Sequence, residues 1–140
     1  MHIPINGLQH VGIPVTDIKV SEAFYETLGF ANAMGTSFAL DGDTAHVAMM
    51  KRGDIIIELY QLPEKELAEI KARGNGHVDH IAFDVDDVDT LFTDMKAAGF
   101  NVLEAAPVSL PFWKHGTKFF FITGPDGERL EFNEIIKCNK

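Results

Sequence analysis

The chain has 140 residues, 46% hydrophobic and 24% charged, a composition that excludes disordered, fibrous and low-complexity classes and indicates one compact domain. Its 21 acidic residues exceed its 12 basic residues and give a formal net charge of −9, so we expect no binding to nucleic acid or to a membrane surface. Cys138 is the single cysteine, which excludes an intrachain disulfide, and no apolar run approaches the ~20 residues of a membrane span. We therefore expect a cytoplasmic protein.

The chain contains an internal repeat, which organises the rest of the sequence. Residues 8–18 align with residues 78–88, and the same offset aligns residues 28–30 with residues 98–100. The residues that coincide are His10 with His80, Asp17 with Asp87, Gly29 with Gly99, and Phe30 with Phe100. The repeat predicts two modules of one architecture.

Each module begins with a strand and a helix. The helices are predicted over 18–28 and 88–98, because each follows an Asp that can cap the first turn and carries apolar residues three and four apart. Both stop at a glycine, Gly29 or Gly99, a residue favoured just beyond a helix end. The two helices are therefore equivalent elements of the two modules.

Further strands follow each helix, and a linker helix separates the modules. The predicted elements are strands 45–50 and 55–60, a helix 63–73 with Pro63 at its first helical position, and strands 118–123 and 129–134. We predict an α+β fold of two tandem βαβββ modules that form a curled, half-open mixed sheet with the helices outside. The modules are expected at about 6–62 and 77–136, with the linker at about 63–76.

Strand alternation places four polar residues on the sheet side opposite the helices. His10 and His80 alternate with the apolar residues of each first strand, and Glu58 and Glu131 lie inside apolar last strands. An unpaired carboxylate there would cost on the order of several kcal/mol, and a cation removes that cost. If the modules pair, two imidazoles and two carboxylates converge, a donor set that suits a six-coordinate first-row metal with two open positions.

A structural role is the alternative for any one of these residues. A lone strand histidine is more often hydrogen-bonded than metal-bound, but the same His and Glu recur at matching places in both modules. This recurrence favours one divalent metal ion held by His10, Glu58, His80 and Glu131. His46 and His77 are not expected to be ligands.

The same residues belong to longer motifs. These are HVGIPVTDI at 10–18, FYETLGF at 24–30, HIAFDVDD at 80–87 and GPDGERLEF at 124–132. Together they resemble the vicinal oxygen chelate superfamily, which includes glyoxalase I, methylmalonyl-CoA epimerase, extradiol dioxygenases and fosfomycin-resistance proteins. The resemblance covers nearly the whole chain, and the His/Glu/His/Glu pattern is most similar to glyoxalase I.

The resemblance implies a metal-dependent lyase or isomerase of the lactoylglutathione lyase type. Such an enzyme transfers a proton next to a carbonyl through an enediolate that the metal stabilises, with Glu131 or Glu58 as the base. The sequence does not choose between the two glutamates, nor among nickel, cobalt, zinc, manganese and iron. The resemblance also implies a small-molecule substrate, with a thiol adduct as one candidate. It further implies a homodimer, in which the metal site lies within one chain or across the dimer interface.

The chain departs from glyoxalase I at positions that contact glutathione, where Pro14 replaces an Arg and Leu62 replaces an Asn. Recognition of the substrate is therefore expected from a loop on a rigid scaffold. The candidate substrate-binding residues are Phe112, Trp113, Lys114, His115 and Lys118.

Two other functions are compatible with the sequence. One is an isomerase similar to methylmalonyl-CoA epimerase, against which the sparse Lys and Arg argue. The other is a non-catalytic protein that binds a small molecule such as an antibiotic, against which the four-residue donor set argues. A dioxygenase fits less well, since non-haem iron oxygenases use two His and one carboxylate.

Overall fold

The computed structural model describes residues 2, 4, 6, 10–74 and 80–138, and the chain divides into two compact units, Met1–Arg73 and Gly74–Lys140. The elements of the first unit are β1 (Val11–Pro14), α1 (Ile18–Thr27), β2 (Ala31–Leu40), β3 (Asp43–Arg52), β4 (Ile55–Gln61) and α2 (Glu64–Lys71). Those of the second are β5 (Ile81–Asp84), α3 (Val88–Ala97), β6 (Val108–Leu110), β7 (Thr117–Thr123) and β8 (Arg129–Ile135). The prediction of an α+β fold with two βαβββ modules is confirmed.

Each unit contains, in its described part, one open four-stranded mixed sheet of the same topology. The strand orders are β1-β4-β3-β2 and β5-β8-β7-β6. The first strand of each unit pairs in parallel with the last strand, and the other neighbours are antiparallel. This topology brings the start and the end of each module side by side, which positions the candidate ligands.

Local capping explains why the two helices begin and end where the sequence predicts. The carboxylate of Asp17 accepts hydrogen bonds from the first turn of α1, and Asp87 accepts one from Thr90 N at 3.0 Å in α3. Beyond the helix ends, Gly29 and Gly99 have φ angles of +87° and +90°, a conformation that costs glycine little.

Apolar side chains fill the space between each helix and its sheet. In the first unit, Tyr25 of α1 is fully buried and its ring packs edge-on against Phe30, 5.9 Å away. In the second, Phe120 stacks on Phe132 at 5.3 Å and meets Phe92 of α3 edge-on at the same centroid distance. These rings lie on the helix side of each sheet and leave the opposite face for other side chains.

The linker helix begins one residue later than the sequence predicts. Pro63 was predicted as the first helical residue of the linker helix, but its ψ of 155° is extended, so it is the N-cap and the helix begins at Glu64. The helix belongs to the first unit, and His77 lies outside the described residues. The two units also differ in the first strand after their first helix: β2 has 10 residues, and β6 has 3.

No helix in the described part of the chain is long and apolar enough to cross a membrane.

Candidate metal-binding site

In the first unit, the strand register brings His10 and Glu58 to one face of the sheet. The parallel pairing of β1 with β4 sets Gly12 opposite Glu58, and His10 lies two residues before Gly12 on the same side. His10 Nε2 is 3.7 Å from Glu58 Oε2, and the two side chains are 32% and 25% exposed. The predicted His and Glu of this module are therefore neighbours on a face open to solvent.

The second unit repeats the arrangement with a more enclosed carboxylate. Ala82 pairs with Glu131, and His80 Nε2 lies 3.5 Å from Glu131 Oε2. The side chain of Glu131 is only 10% exposed, whereas that of His80 is 40% exposed. The rings of Phe121 and His80 meet edge-on with their centroids 5.4 Å apart, and Phe121 pairs with Glu131 across the neighbouring strands.

The spacing of each pair is compatible with a shared cation. Two donors that each lie about 2.1 Å from one first-row metal ion can be at most about 4.2 Å apart. Both measured separations, 3.7 Å and 3.5 Å, fall below that limit. Each pair offers one imidazole nitrogen and one carboxylate oxygen, the donor types that zinc, nickel, cobalt, manganese and iron accept.

Within each described unit, the donors come in pairs and not in fours. No group of three or more His, Cys, Asp or Glu side chains suited to a metal ion occurs among the described residues. The convergence of His10, Glu58, His80 and Glu131 on one ion therefore stays a prediction.

Tyr60 stands beside Glu58, a neighbour that the sequence analysis did not single out. It follows Glu58 by two residues on the same face, and a Cβ built on Gly12 would lie 3.4 Å from Tyr60 Cε1. Burial raises the pKa of the Tyr60 phenol, Arg73 lowers it, and the charge of Glu58 raises it. The phenol thus shares the electrostatic environment of the first His–Glu pair.

Asn133 occupies the equivalent place beside Glu131 and was also missed. Its Nδ2 donates a hydrogen bond to Glu131 Oε1 at 3.2 Å, and its Oδ1 accepts one from the buried hydroxyl of Thr117. The repeat could have revealed both residues, because each lies two positions after the glutamate of its own module.

The predicted substrate-binding loop lines a cleft of about 450 Å³ in the second unit. Trp113, Lys114 and His115 line this cleft, and Trp113 is 71% exposed with a φ of +61°, a conformation uncommon for a bulky residue. Phe112 is exposed next to it. The aromatic side chains are therefore available to a ligand on the surface of this unit.

Lys118 lines the same cleft, but its charged end has a different partner. Its Nζ lies 2.6 Å from Asp89 Oδ1 in α3. It stands three residues before Phe121, which pairs with Glu131, so Lys118 points to the helix side of the sheet. The structure thus separates its ammonium group from the Glu131 face.

The remaining described histidine of the sheets is also on the helix side. His46 Nδ1 is 2.7 Å from Ser37 Oγ, and His46 stands three residues before Met49, the partner of Glu58. It therefore lies opposite His10 and Glu58, in agreement with the expectation that it is not a ligand.

Comparison with known proteins identifies the family. Residues 7–132 match the model of the Glyoxalase/Bleomycin resistance protein/Dioxygenase superfamily. The chain belongs to this superfamily, the vicinal oxygen chelate superfamily that its motifs resemble.

Individual relatives cover almost the whole chain. The uncharacterized protein YwbC of Bacillus subtilis (strain 168) is 30% identical over 127 residues, 89% of this chain and 94% of YwbC. The uncharacterized protein YaeR of Escherichia coli (strain K12) is 29% identical over 131 residues, 93% of this chain and 97% of YaeR. The crystal structure of a glyoxalase family protein from Enterococcus faecalis has a TM-score of 0.70 at 20% identity, and the match covers 92% of this chain and 98% of that one.

Proposed function

We propose that this protein is a metal-dependent lyase or isomerase of the glyoxalase I type, which transfers a proton next to a carbonyl group. The observation that carries the proposal is the duplicated His–Glu pair, one in each unit, on the sheet face opposite the helix. Membership of the superfamily supports it, because the superfamily includes enzymes of this chemistry.

The energetics of Glu131 favour a bound cation. Its carboxylate is almost fully buried, and ionised groups are stable there only when they have strong partners. Asn133 supplies one neutral donor, and His80 lies at 3.5 Å, longer than a direct hydrogen bond. A divalent ion between the imidazole and the carboxylate would compensate the charge more completely.

We propose that His10, Glu58, His80 and Glu131 together hold one divalent ion, brought together by two modules of one chain or of two chains in a homodimer. When bound, the ion would act as a Lewis acid that stabilises negative charge on two neighbouring substrate oxygens. Nickel, cobalt, zinc, manganese and iron all fit this donor set. The cytoplasmic location and the homodimer are kept as predictions from the sequence.

The proton transfer itself requires one of the glutamates. Its carboxylate accepts the proton from the carbon next to the carbonyl, the electron pair of that C–H bond forms a C=C bond to the carbonyl carbon, and the π pair of the C=O bond moves to its oxygen. The same carboxylate then returns the proton to the former carbonyl carbon, which takes the electron pair of the C=C bond, while the hydroxyl proton of the first carbon passes to the other oxygen and leaves a new carbonyl there. The product is an isomer of the substrate, such as a 2-hydroxyacyl thioester from a hemithioacetal, and no oxidant or reductant is consumed.

The exposed loop of the second unit is proposed to contact the remainder of the substrate. Phe112 and Trp113 can cover an apolar group, while Lys114 and His115 can bind an anionic one. Lys118 is the weakest member of the predicted set, because Asp89 already engages its ammonium group.

Metal analysis combined with turnover tests the proposal. The purified protein is assayed for bound metal, stripped with a chelator, reloaded with nickel, cobalt or zinc, and incubated with methylglyoxal and glutathione or another thiol. We expect activity in the loaded protein and none in the stripped protein. Bound metal without turnover would reject the hemithioacetal as substrate, and absence of metal binding would reject the enzyme.

The exposed aromatic pair also favours a second candidate, a non-catalytic protein that binds a small molecule. The cleft of about 450 Å³ beside Trp113 has the size of a small-ligand site. Quenching of the Trp113 fluorescence by a panel of aromatic antibiotics, with equal affinity in the stripped and metal-loaded protein, would favour this candidate over the enzyme.

A further inference from the structure

Arg129 lies on the same face of the second sheet as Glu131. It precedes Glu131 by two residues in β8, and side chains two residues apart on a strand point to the same side. The guanidinium stacks on the ring of Phe121, with its central carbon 4.4 Å from the ring centroid. Phe121 is the register partner of Glu131, and its ring also meets the imidazole of His80. A permanent positive charge therefore stands beside the candidate His–Glu pair of this unit.

The positive charge is specific to this face and to this unit at its register position. Of the two basic residues in β7 and β8, Lys118 points to the helix side, where Asp89 pairs with its ammonium group. At the position equivalent to Arg129, two residues before the glutamate of its module, the first unit has Ile56. The shared fold therefore does not require an arginine here, and a role in ligand recognition explains its presence.

Stacking prepares the guanidinium for one kind of ligand. The contact with Phe121 uses the flat face of the guanidinium, while its N–H donors lie in the plane and form a rigid fork that fits a carboxylate. Arg129 is half-buried, so water screens an ion pair with it less than at a fully exposed arginine. Because the stack already restricts the side chain, less conformational freedom is lost when an anion binds.

The neighbouring side chains define the ligand further. Glu131 gives this face a negative charge of its own, so an anion is held by direct contact with Arg129, and one guanidinium balances one negative charge better than two. Farther along the same face, Phe119 meets Phe121 edge-on at 5.7 Å, and its register partner Val108 is 37% exposed. These two side chains offer apolar surface to the rest of a ligand.

We infer that Arg129 binds the carboxylate of a monoanionic ligand whose apolar part lies on Phe119 and Val108. Arg129 pairs with Thr123, which is four residues from Phe119, so about 13 Å separates the two ends along β7. Glu131 lies between them. The inference rests on the proposed function in one respect, because it names the substrate class as a carbonyl compound with a carboxylate at one end and an apolar group at the other.

Binding of 3-phenylpropionate and of its neutral amide tests the carboxylate contact in the metal-free, full-length protein. The two compounds have nearly the same shape and differ in charge. We expect the wild type to bind 3-phenylpropionate about 10–100-fold more tightly than 3-phenylpropionamide, the effect of a hydrogen bond between charged groups. Arg129→Met keeps a side chain that packs on Phe121 but removes the charge, and it should lower this ratio to about 1. Arg129→Lys keeps the charge without the fork and should give an intermediate ratio.

NMR of the arginine side chains identifies the residue that the ligand contacts. The chain has three arginines, so their Nε–H groups give three signals, which are assigned by replacing one arginine at a time with lysine. The Arg129 signal should shift when 3-phenylpropionate is added. Arg52 and Arg73 have partners within the first unit and are internal controls, whose signals should stay in place.

Lys96→Met is the matched control variant. Lys96 also lies over a phenylalanine ring, with its Nζ 5.4 Å from the centroid of Phe92, but both residues belong to α3. The substitution removes one positive charge and one cation–π contact without touching the Glu131 face. The Kd for 3-phenylpropionate should therefore stay within about 2-fold of wild type.

The outcomes separate this inference from the proposed function. A wild-type ratio near 1, an unchanged ratio in Arg129→Met, or a shift at Arg52 or Arg73 in place of Arg129 would overturn the inference. Tighter binding of phenyl phosphate than of 3-phenylpropionate would overturn the assignment to a monoanion. Metal-dependent turnover without this discrimination would leave only the proposed function, and discrimination without metal binding would leave only the carboxylate site. The wild-type ratio is measured without any substitution, so the test holds even if Arg129→Met fails to fold.

Discussion

Replacement of Gly124 by alanine tests how the turn before β8 is built, and so how Glu131 is placed. A Cβ on Gly124 would overlap Glu128 Oε1 and lie 2.9 Å from Oε2. Glu128 is 1% exposed, and its Oε2 accepts a hydrogen bond from Asp126 N at 2.9 Å. The alanine therefore forces a buried carboxylate out of its position.

The cost follows from two effects. Overpacking a filled site costs about 1–3 kcal/mol, and loss of a hydrogen bond to a charged group costs about 1.5–3 kcal/mol. We expect Gly124→Ala to lower the free energy of unfolding by about 3–5 kcal/mol. For a chain of this length, that corresponds to a melting temperature lower by about 10–20 °C.

A double-mutant cycle isolates the clash. Urea unfolding is measured for wild type, Gly124→Ala, Glu128→Ala and the double variant. With Glu128 shortened, the carboxylate atoms that the new methyl group would overlap are removed, so the same substitution should cost nothing or stabilise by about 0.4–1 kcal/mol. A cost below about 1 kcal/mol in the wild-type background, or an equal cost in both backgrounds, would refute the reasoning.

Other predictions concern charge. The pH dependence of the absorbance difference between wild type and Tyr60→Phe reports the pKa of the Tyr60 phenol. We expect burial to raise this pKa and Arg73→Ala to raise it further, and a lower pKa in Arg73→Ala would contradict the geometry. Asp87→Ala should lower the melting temperature at neutral pH. Since the backbone N–H of Thr90 lowers the pKa of Asp87, this deficit should vanish as pH falls through that lowered pKa, and a deficit independent of pH would argue against the cap. Lys118→Met should leave KM within about 2-fold of wild type, because Lys118 pairs with a carboxylate of α3, and a larger rise in KM would restore it to the substrate site.

The sequence predicted the elements best where local chemistry determines them. The caps at Asp17 and Asp87 and the glycines after each helix act within a few residues, and both helices end within one residue of the predicted bounds. Strand alternation likewise predicted that His10 and Glu58 share a face, and in the structure His10 Nε2 lies 3.7 Å from Glu58 Oε2. The linker helix was predicted less accurately, because proline is favoured at the first helical position, whereas Pro63 is here the extended N-cap residue before Glu64.

Side-chain partners were beyond the reach of pattern analysis. Lys118 lies close in sequence to the predicted loop residues, but the partner of its ammonium group is Asp89, which lies in α3 and is distant in the sequence. In the sequence, Asn133 is an ordinary polar residue of a strand. Only the structure shows that it accepts a hydrogen bond from Thr117 and donates one to Glu131. Such contacts depend on the register of neighbouring strands, which a single sequence specifies only weakly.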